Sequence, residues 1–159
     1  MNKKGALALM ALVMALLTAI MMLSGCANRK NASGIREFRY SFGKQGDKTS
    51  FRLYFDGDEQ PHYFSESESQ GTSNDFVCTE EMFEWLNTVV SQFGVSSWNG
   101  FVGYNSAVQN GYEFELYIEF FDETYLKASG YESYPDSYDT IHKVFVDYLE
   151  QYSSAGFTE

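Results

Sequence analysis

Tyr112 to Phe120 limits what this chain can become more than any other stretch. Phe114, Leu116, Ile118 and Phe120 alternate there with Glu113, Glu115, Tyr117 and Glu119. Side chains of a strand point alternately to opposite faces, so this period of two specifies a strand with one dry face and one wet face. A sheet built on it must be covered on one side, by elements from elsewhere in the chain.

The other segments supply matching parts. Arg36 to Phe42 places Phe38, Tyr40 and Phe42 on one face, and Ser50 to Phe55 does the same with Phe51, Leu53 and Phe55. The Gly-rich turn between them, Gly43 to Lys48, makes the pair a hairpin. His62-Tyr63-Phe64 is a short third strand, with Pro61 at its first residue or on a sheet edge. Ser65 to Asn74 is polar and of low complexity, and is expected to be a mobile loop. Thr79 to Phe93 reads as a helix: Thr79 can cap it, Glu80, Glu81 and Glu84 suit the dipole, and Met82, Phe83, Leu86, Val89, Val90 and Phe93 form one stripe. Trp85 lies at the margin of that stripe, as a partly buried wedge. Leu126 and Ala128 continue the inner face after Phe120, which requires an odd loop near Asp122-Glu123, naturally of three residues. Pro135 or Asp136 opens a second helix, with Tyr138, Ile141, Phe145, Tyr148, Leu149 and Tyr152 as its stripe. The expected order is β-β-β-α-β-β-α, an α+β fold with an antiparallel sheet of about five strands and two helices packed on one face.

Ahead of this domain, Lys3 and Lys4 precede a run from Gly5 to Met22 without a charged residue. About 18 apolar residues is the lower limit for a membrane span. This run instead ends in Ser24-Gly25 beside Cys26, and a polar tether follows, the order of an export signal. Leu23-Ser24-Gly25-Cys26 resembles the lipobox of bacterial lipoproteins. The resemblance implies that residues 1–25 are removed, that Cys26 receives a diacylglycerol, and that the protein is held on the extracytoplasmic side of the cell membrane. Two acyl chains make such attachment stable, whereas one is marginal. Arg29 and Lys30 add attraction to an anionic leaflet, about 1 kcal/mol each. The expected organisation is a signal peptide at 1–25, a lipidated flexible tether at 26–35, a single α+β domain at 36–153 and a tail at 154–159.

Removal of 25 residues from 159 leaves 134, enough for one domain with its own core. Acylation of Cys26 would leave Cys78 as the sole thiol, so neither an intrachain disulfide nor a CxxC metal site can form. Cys78 is expected to be a small buried side chain beside a helix start, with a reactive thiol as the alternative. From Leu53 onward only Lys127 and Lys143 oppose 20 carboxylates, a net −18. Such a field excludes nucleic acid and favours cations or basic partners; it also keeps an exported protein soluble.

A second resemblance rests on Trp98-Asn99-Gly100-Phe101, Asn110-Gly111-Tyr112-Glu113-Phe114, Ala128-Ser129-Gly130-Tyr131 and Tyr134-Pro135. Together they are similar to a pattern in small lipoproteins of Firmicutes, over roughly residues 98 to 140. It implies fold and habitat and carries no activity. The chain departs from the pattern at Glu123, where a turn glycine is usual.

The chain has few residues suited to catalysis. His62 and His142 lie in different elements, no Gly-x-Ser-x-Gly elbow is present, and Asp56-Gly57-Asp58-Glu59 lacks the later ligands of a calcium loop. No metal or cofactor is indicated. Trp98, Phe101, Tyr104, Tyr131 and Tyr134 fall in two loops that can meet at one end of the sheet. They form either a stacking surface for a sugar, peptide or other small molecule, or packing between helix and sheet. Glu113, Glu115 and Glu119 form an outward acidic row that could dock a basic protein. The leading expectation is a membrane-anchored, non-enzymatic binding or accessory module. The alternatives are an envelope-associated hydrolase, and an acidic docking or inhibitory partner.

Overall fold

The computed structural model describes residues 34–154. The export signal, Cys26, most of the tether and nearly all of the tail therefore lie outside the described residues. Seven strands form one sheet: β1 (Ile35–Lys44), β2 (Asp47–Phe55), β3 (Pro61–Ser67), β4 (Thr72–Val77), β5 (Phe101–Tyr104), β6 (Glu113–Phe120) and β7 (Tyr125–Tyr131). Their spatial order is β4-β3-β2-β1-β6-β7-β5. Two helices accompany them, α1 (Glu80–Gln92) and α2 (Tyr138–Ser154), with a short 3-10 turn at Val95–Trp98. Ile35 already belongs to β1 and is buried, and its amide donates to Asn87 Oδ1 at 3.1 Å.

The fold is α+β with both helices on one face, but the sheet is larger than expected and is mixed. Ser65 to Asn74 is not a loop. Most of it pairs in the β3–β4 hairpin, from Ser67↔Thr72 to His62↔Val77. Its inward positions carry Ser65, Ser67, Thr72 and Asn74, so the alternation is present without the hydrophobicity that would reveal it. The other addition, β5, runs parallel to β7, with Phe101↔Ala128 and Tyr104↔Tyr131. Four residues among turn signals carry too short a period to read as a strand.

The inner faces interlock as the alternation requires. β1 pairs with β2 through Phe38↔Leu53 and Tyr40↔Phe51, and with β6 through Phe38↔Ile118 and Tyr40↔Leu116. Phe145 of α2 packs edge-on against Phe38 at 5.2 Å and lies 5.3 Å from Tyr40. Phe83 of α1 meets Phe55 of β2 at 4.3 Å. The helices touch through Trp85 and Tyr148, stacked at 3.7 Å and 9°, so Trp85 is a helix–helix wedge. Two details of α1 differ from expectation. Thr79 occupies the N-cap position without a side-chain cap bond, and Phe93 at the end of the stripe is exposed.

The β6–β7 hairpin has the three-residue loop that the inner-face parity demands. The Phe120 amide donates to Thr124 O at 2.9 Å, and Glu119 pairs with Tyr125. Glu123 takes the position where glycine is usual, at φ 66°. Asp122 Oδ1 braces the turn by accepting from the Thr124 amide and hydroxyl.

Candidate functional site

With both helices on one face, no described element covers the other face of the sheet. The strand register defines its contents. One row reads Val77, His62, Tyr54, Glu37, Glu119 and Tyr125 from β4 to β7; the next reads Asp75, Phe64, Arg52, Arg39, Tyr117 and Lys127. The third carries Ser73, Glu66, Ser50, Ser41, Glu115 and Ser129.

A charged cluster lies at the centre. Arg39 and Arg52 face each other across β1 and β2, a repulsive arrangement by itself. Glu37 resolves it. Its carboxylate accepts Arg39 Nε and Nη2 at 2.7 and 2.9 Å and Arg52 Nε at 2.5 Å. Burial acts to raise the Glu37 pKa, but the hydrogen bonds from Arg39 and Arg52 outweigh it and hold the carboxyl below its ordinary value. The Glu37 side chain is only 12% exposed, whereas both guanidinium groups remain open to solvent.

Tyrosines flank this cluster. The Arg52 guanidinium lies 4.1 Å from the Tyr54 ring centroid, and Tyr54 stacks on His62. Arg39 and Lys127 both approach the Tyr117 ring, at 5.2 and 5.3 Å, and Lys127 also lies 4.7 Å from the ring of Tyr125, which is 57% exposed. These contacts pre-position cations over aromatic faces.

The outward acidic row lies on this face, within a mixed-charge setting. Glu113 pairs with Lys48 at 2.9 Å and Glu119 with Arg36 at 3.2 Å, and Tyr117 Oη donates to Glu119. Glu115 stands between them, exposed.

The five loop aromatics separate into two groups. Trp98 is 1% exposed, donates from Nε1 to Asp136 O at 3.1 Å and packs against Phe114 and Tyr138. Phe101 lies on Phe114, and Tyr134 stacks on Tyr138 at 4.5 Å, so these two join Trp98 on the helix side. Tyr104 and Tyr131 are stacked on each other across β5 and β7, with Tyr104 73% exposed. The Tyr131 hydroxyl is engaged: it accepts from the Gly111 amide at 2.7 Å and donates to Val108 O at 3.1 Å, which ties down the loop before β6. Only Tyr104 of the five is a largely open ring.

The histidines are separate. His62 Nε2 is 3.2 Å from Asp56 Oδ2, and Nδ1 is 3.7 Å from Asp75. His142 Nδ1 is 2.6 Å from the buried Tyr40 hydroxyl, which is also 3.3 Å from that of Tyr138. Burial lowers the His142 pKa and pushes Tyr138 up to about 12. Cys78 is half-buried and its thiol is pushed up to about 11, so it stays protonated at neutral pH. Among the described residues, no three His, Cys, Asp or Glu side chains are grouped to hold a metal, and no helix is long and apolar enough to cross a membrane.

Arg39, Arg52, Lys127, Tyr54, Tyr117 and Tyr125 were the residues that strand-by-strand reading missed. Each stands at an outward position of an alternating strand. Their union into one surface depends on the β1–β6 pairing, which joins segments some 80 residues apart. No protein-family model matches the chain, and no curated protein matches it either.

Proposed function

We propose that this protein is a lipid-anchored, non-enzymatic binding module on the extracytoplasmic side of the cell membrane, and that it engages a protein partner through the uncovered face of its sheet. The anchor rests on the sequence Leu23-Ser24-Gly25-Cys26. The observation that carries the binding half is the uncovered face itself. Six inter-strand spacings of about 4.8 Å make it about 29 Å wide, the scale of a standard protein interface.

Its chemistry selects among partners. Arg36, Arg39, Lys48, Arg52 and Lys127 roughly balance Glu37, Glu66, Asp75, Glu113, Glu115 and Glu119, so no net positive field is available to hold a polyanion. Tyrosine and arginine side by side are the residues that dominate protein–protein hot spots. An acidic row dedicated to a basic protein has less support, because Glu113 and Glu119 already pair with Lys48 and Arg36.

Two experiments test the two halves. A clickable fatty-acid analogue fed to expressing cells should label the wild-type chain and not Cys26→Ala; labelling of both would remove the anchor. Amine-reactive footprinting should show Lys127 protected on intact cells relative to the purified full chain, with Lys143 on α2 equally reactive in both. Equal reactivity of Lys127 in both preparations would remove the surface.

A further inference from the structure

The helix layer ends before the sheet does. On the inner side of β2, β3 and β4, Leu53, Tyr63 and Phe76 form an apolar row. The next row is Phe51, Ser65 and Asn74, and the last is Thr49, Ser67 and Thr72. α2 covers the first row: Tyr63 Oη is 2.8 Å from Leu149 O and 2.7 Å from Ser153 Oγ. Beyond Ser153 the hydroxyl-bearing rows border a cleft of about 340 Å³, walled by Glu150 and Ser153 of α2 and by Gln70 at the β3–β4 turn. Phe51 forms its floor.

Hydroxyl and amide groups line an inner sheet face that elsewhere is apolar. Ser65 is only 3% exposed, and its Oγ accepts from Asn74 Nδ2 at 3.4 Å. The same Asn74 group donates to Ser153 O at 3.0 Å, so the sheet side and the helix side of the cleft are braced against each other. The electrostatics share one sign. Glu150 of α2 is the charged side chain on the helix side of the cleft; Glu66 borders it from β3, where its position in the strand is an outward one, and neither Lys nor Arg is among the lining residues. The C-terminal turn of α2, whose carbonyl end of the helix dipole is negative, adds to that field.

We infer that this cleft is a binding site for a small, hydroxyl-rich ligand that is not an anion, of the size and type of an amino monosaccharide. A volume of about 340 Å³ lies at the lower end of small-molecule sites, which start near 300 Å³. Sugar hydroxyls both donate and accept, as Thr49, Ser67, Thr72, Asn74 and Gln70 require of a partner. An ammonium group meets the carboxylate field, and a carboxylate on the ligand opposes it. The site is on the helix side of the sheet and is independent of the uncovered face.

The test is calorimetry and amide NMR on the full chain in detergent micelles, with glucosamine, glucose and glucuronate as probes. Glucosamine should bind saturably at millimolar concentration, moving the amides of Ser65, Ser67 and Asn74. Glucuronate should bind about tenfold more weakly, equivalent to about 1.4 kcal/mol. Thr49→Val and Thr72→Val remove one hydroxyl each while keeping a β-branched strand residue, and each should weaken glucosamine several-fold with the melting temperature unchanged. Absence of saturable binding, binding mapped away from these amides, or glucuronate binding as tightly as glucosamine would each overturn the inference.

Discussion

Glu37 concentrates the electrostatics of the uncovered face in one side chain. It alone separates Arg39 from Arg52, and it is the most enclosed carboxylate of the set. Replacing it by Gln should cost about 1–2 kcal/mol in urea unfolding at pH 7, since hydrogen bonds to charged groups contribute about 1.5–3 kcal/mol and solvent around the two arginines reduces that. Because its folded pKa lies below the ordinary value of 4.5, the contribution is fully present above that pH. It is lost as pH falls through the folded value, so the wild type and Glu37→Gln should converge in stability on acidification from pH 5. His142 acts in the same direction over a higher pH window. Burial lowers its pKa beneath 6.5, and Asp139 opposes this only in part. The unfolded chain therefore takes up the proton first, and stability falls as pH drops below 6.5. His142→Phe should flatten that slope between pH 7 and 5.5, and an unchanged slope would assign it elsewhere. Neither behaviour was legible in sequence. The His142–Tyr40 contact spans 102 positions, and Glu37 read simply as one outward residue of an alternating strand.

Among the elements, the β6–β7 hairpin was the most legible, because Phe114 to Phe120 and Leu126-x-Ala128 must share a face and parity then sets the loop length. Its turn holds Glu123 at φ 66°, a left-handed conformation that costs a residue with a Cβ roughly 1 kcal/mol. Glu123→Gly should therefore raise stability by about 0.5–1 kcal/mol in thermal unfolding; a loss would mean that the Glu123 side chain contributes contacts that outweigh the strain. β7 also depends on Gly130, where an added Cβ would fall 2.0 Å from Ser133 O and 2.6 Å from the Phe114 ring. Gly130→Ala should destabilise by about 1–3 kcal/mol through overpacking, measurable as a lower urea midpoint. The polar end of the β3–β4 hairpin and β5 escaped the sequence for different reasons, whereas the start of β3 at His62-Tyr63-Phe64 was legible. The first, from Ser65 to Asn74, is polar on both faces, so no hydrophobic period marks it. The second is four residues long, and only its pairing with β7 makes it a strand. The loop aromatics escaped for a third reason: Trp98 and Tyr104 lie six positions apart, yet one is inside and the other outside. That difference depends on β5, which orients Tyr104 outward beside Tyr131.

Over the whole molecule, cations and anions separate in a way that the linear charge count hides. Arg36, Arg39, Lys48, Arg52 and Lys127 belong to the sheet, and Lys143 is the basic residue of the two helices, beside Asp147. The helix layer therefore carries a large share of the net negative charge, and the uncovered face is close to balanced. A photo-crosslinking residue substituted at Tyr125, compared with the same residue at Asp147 on α2, tests partner binding at the uncovered face most directly in cells expressing the full chain. The account predicts a discrete crosslinked adduct of defined mass from position 125, abolished by charge reversal at Arg39 with the fold retained, and none from position 147. Adducts from position 147 alone, or equally from both positions, would contradict it.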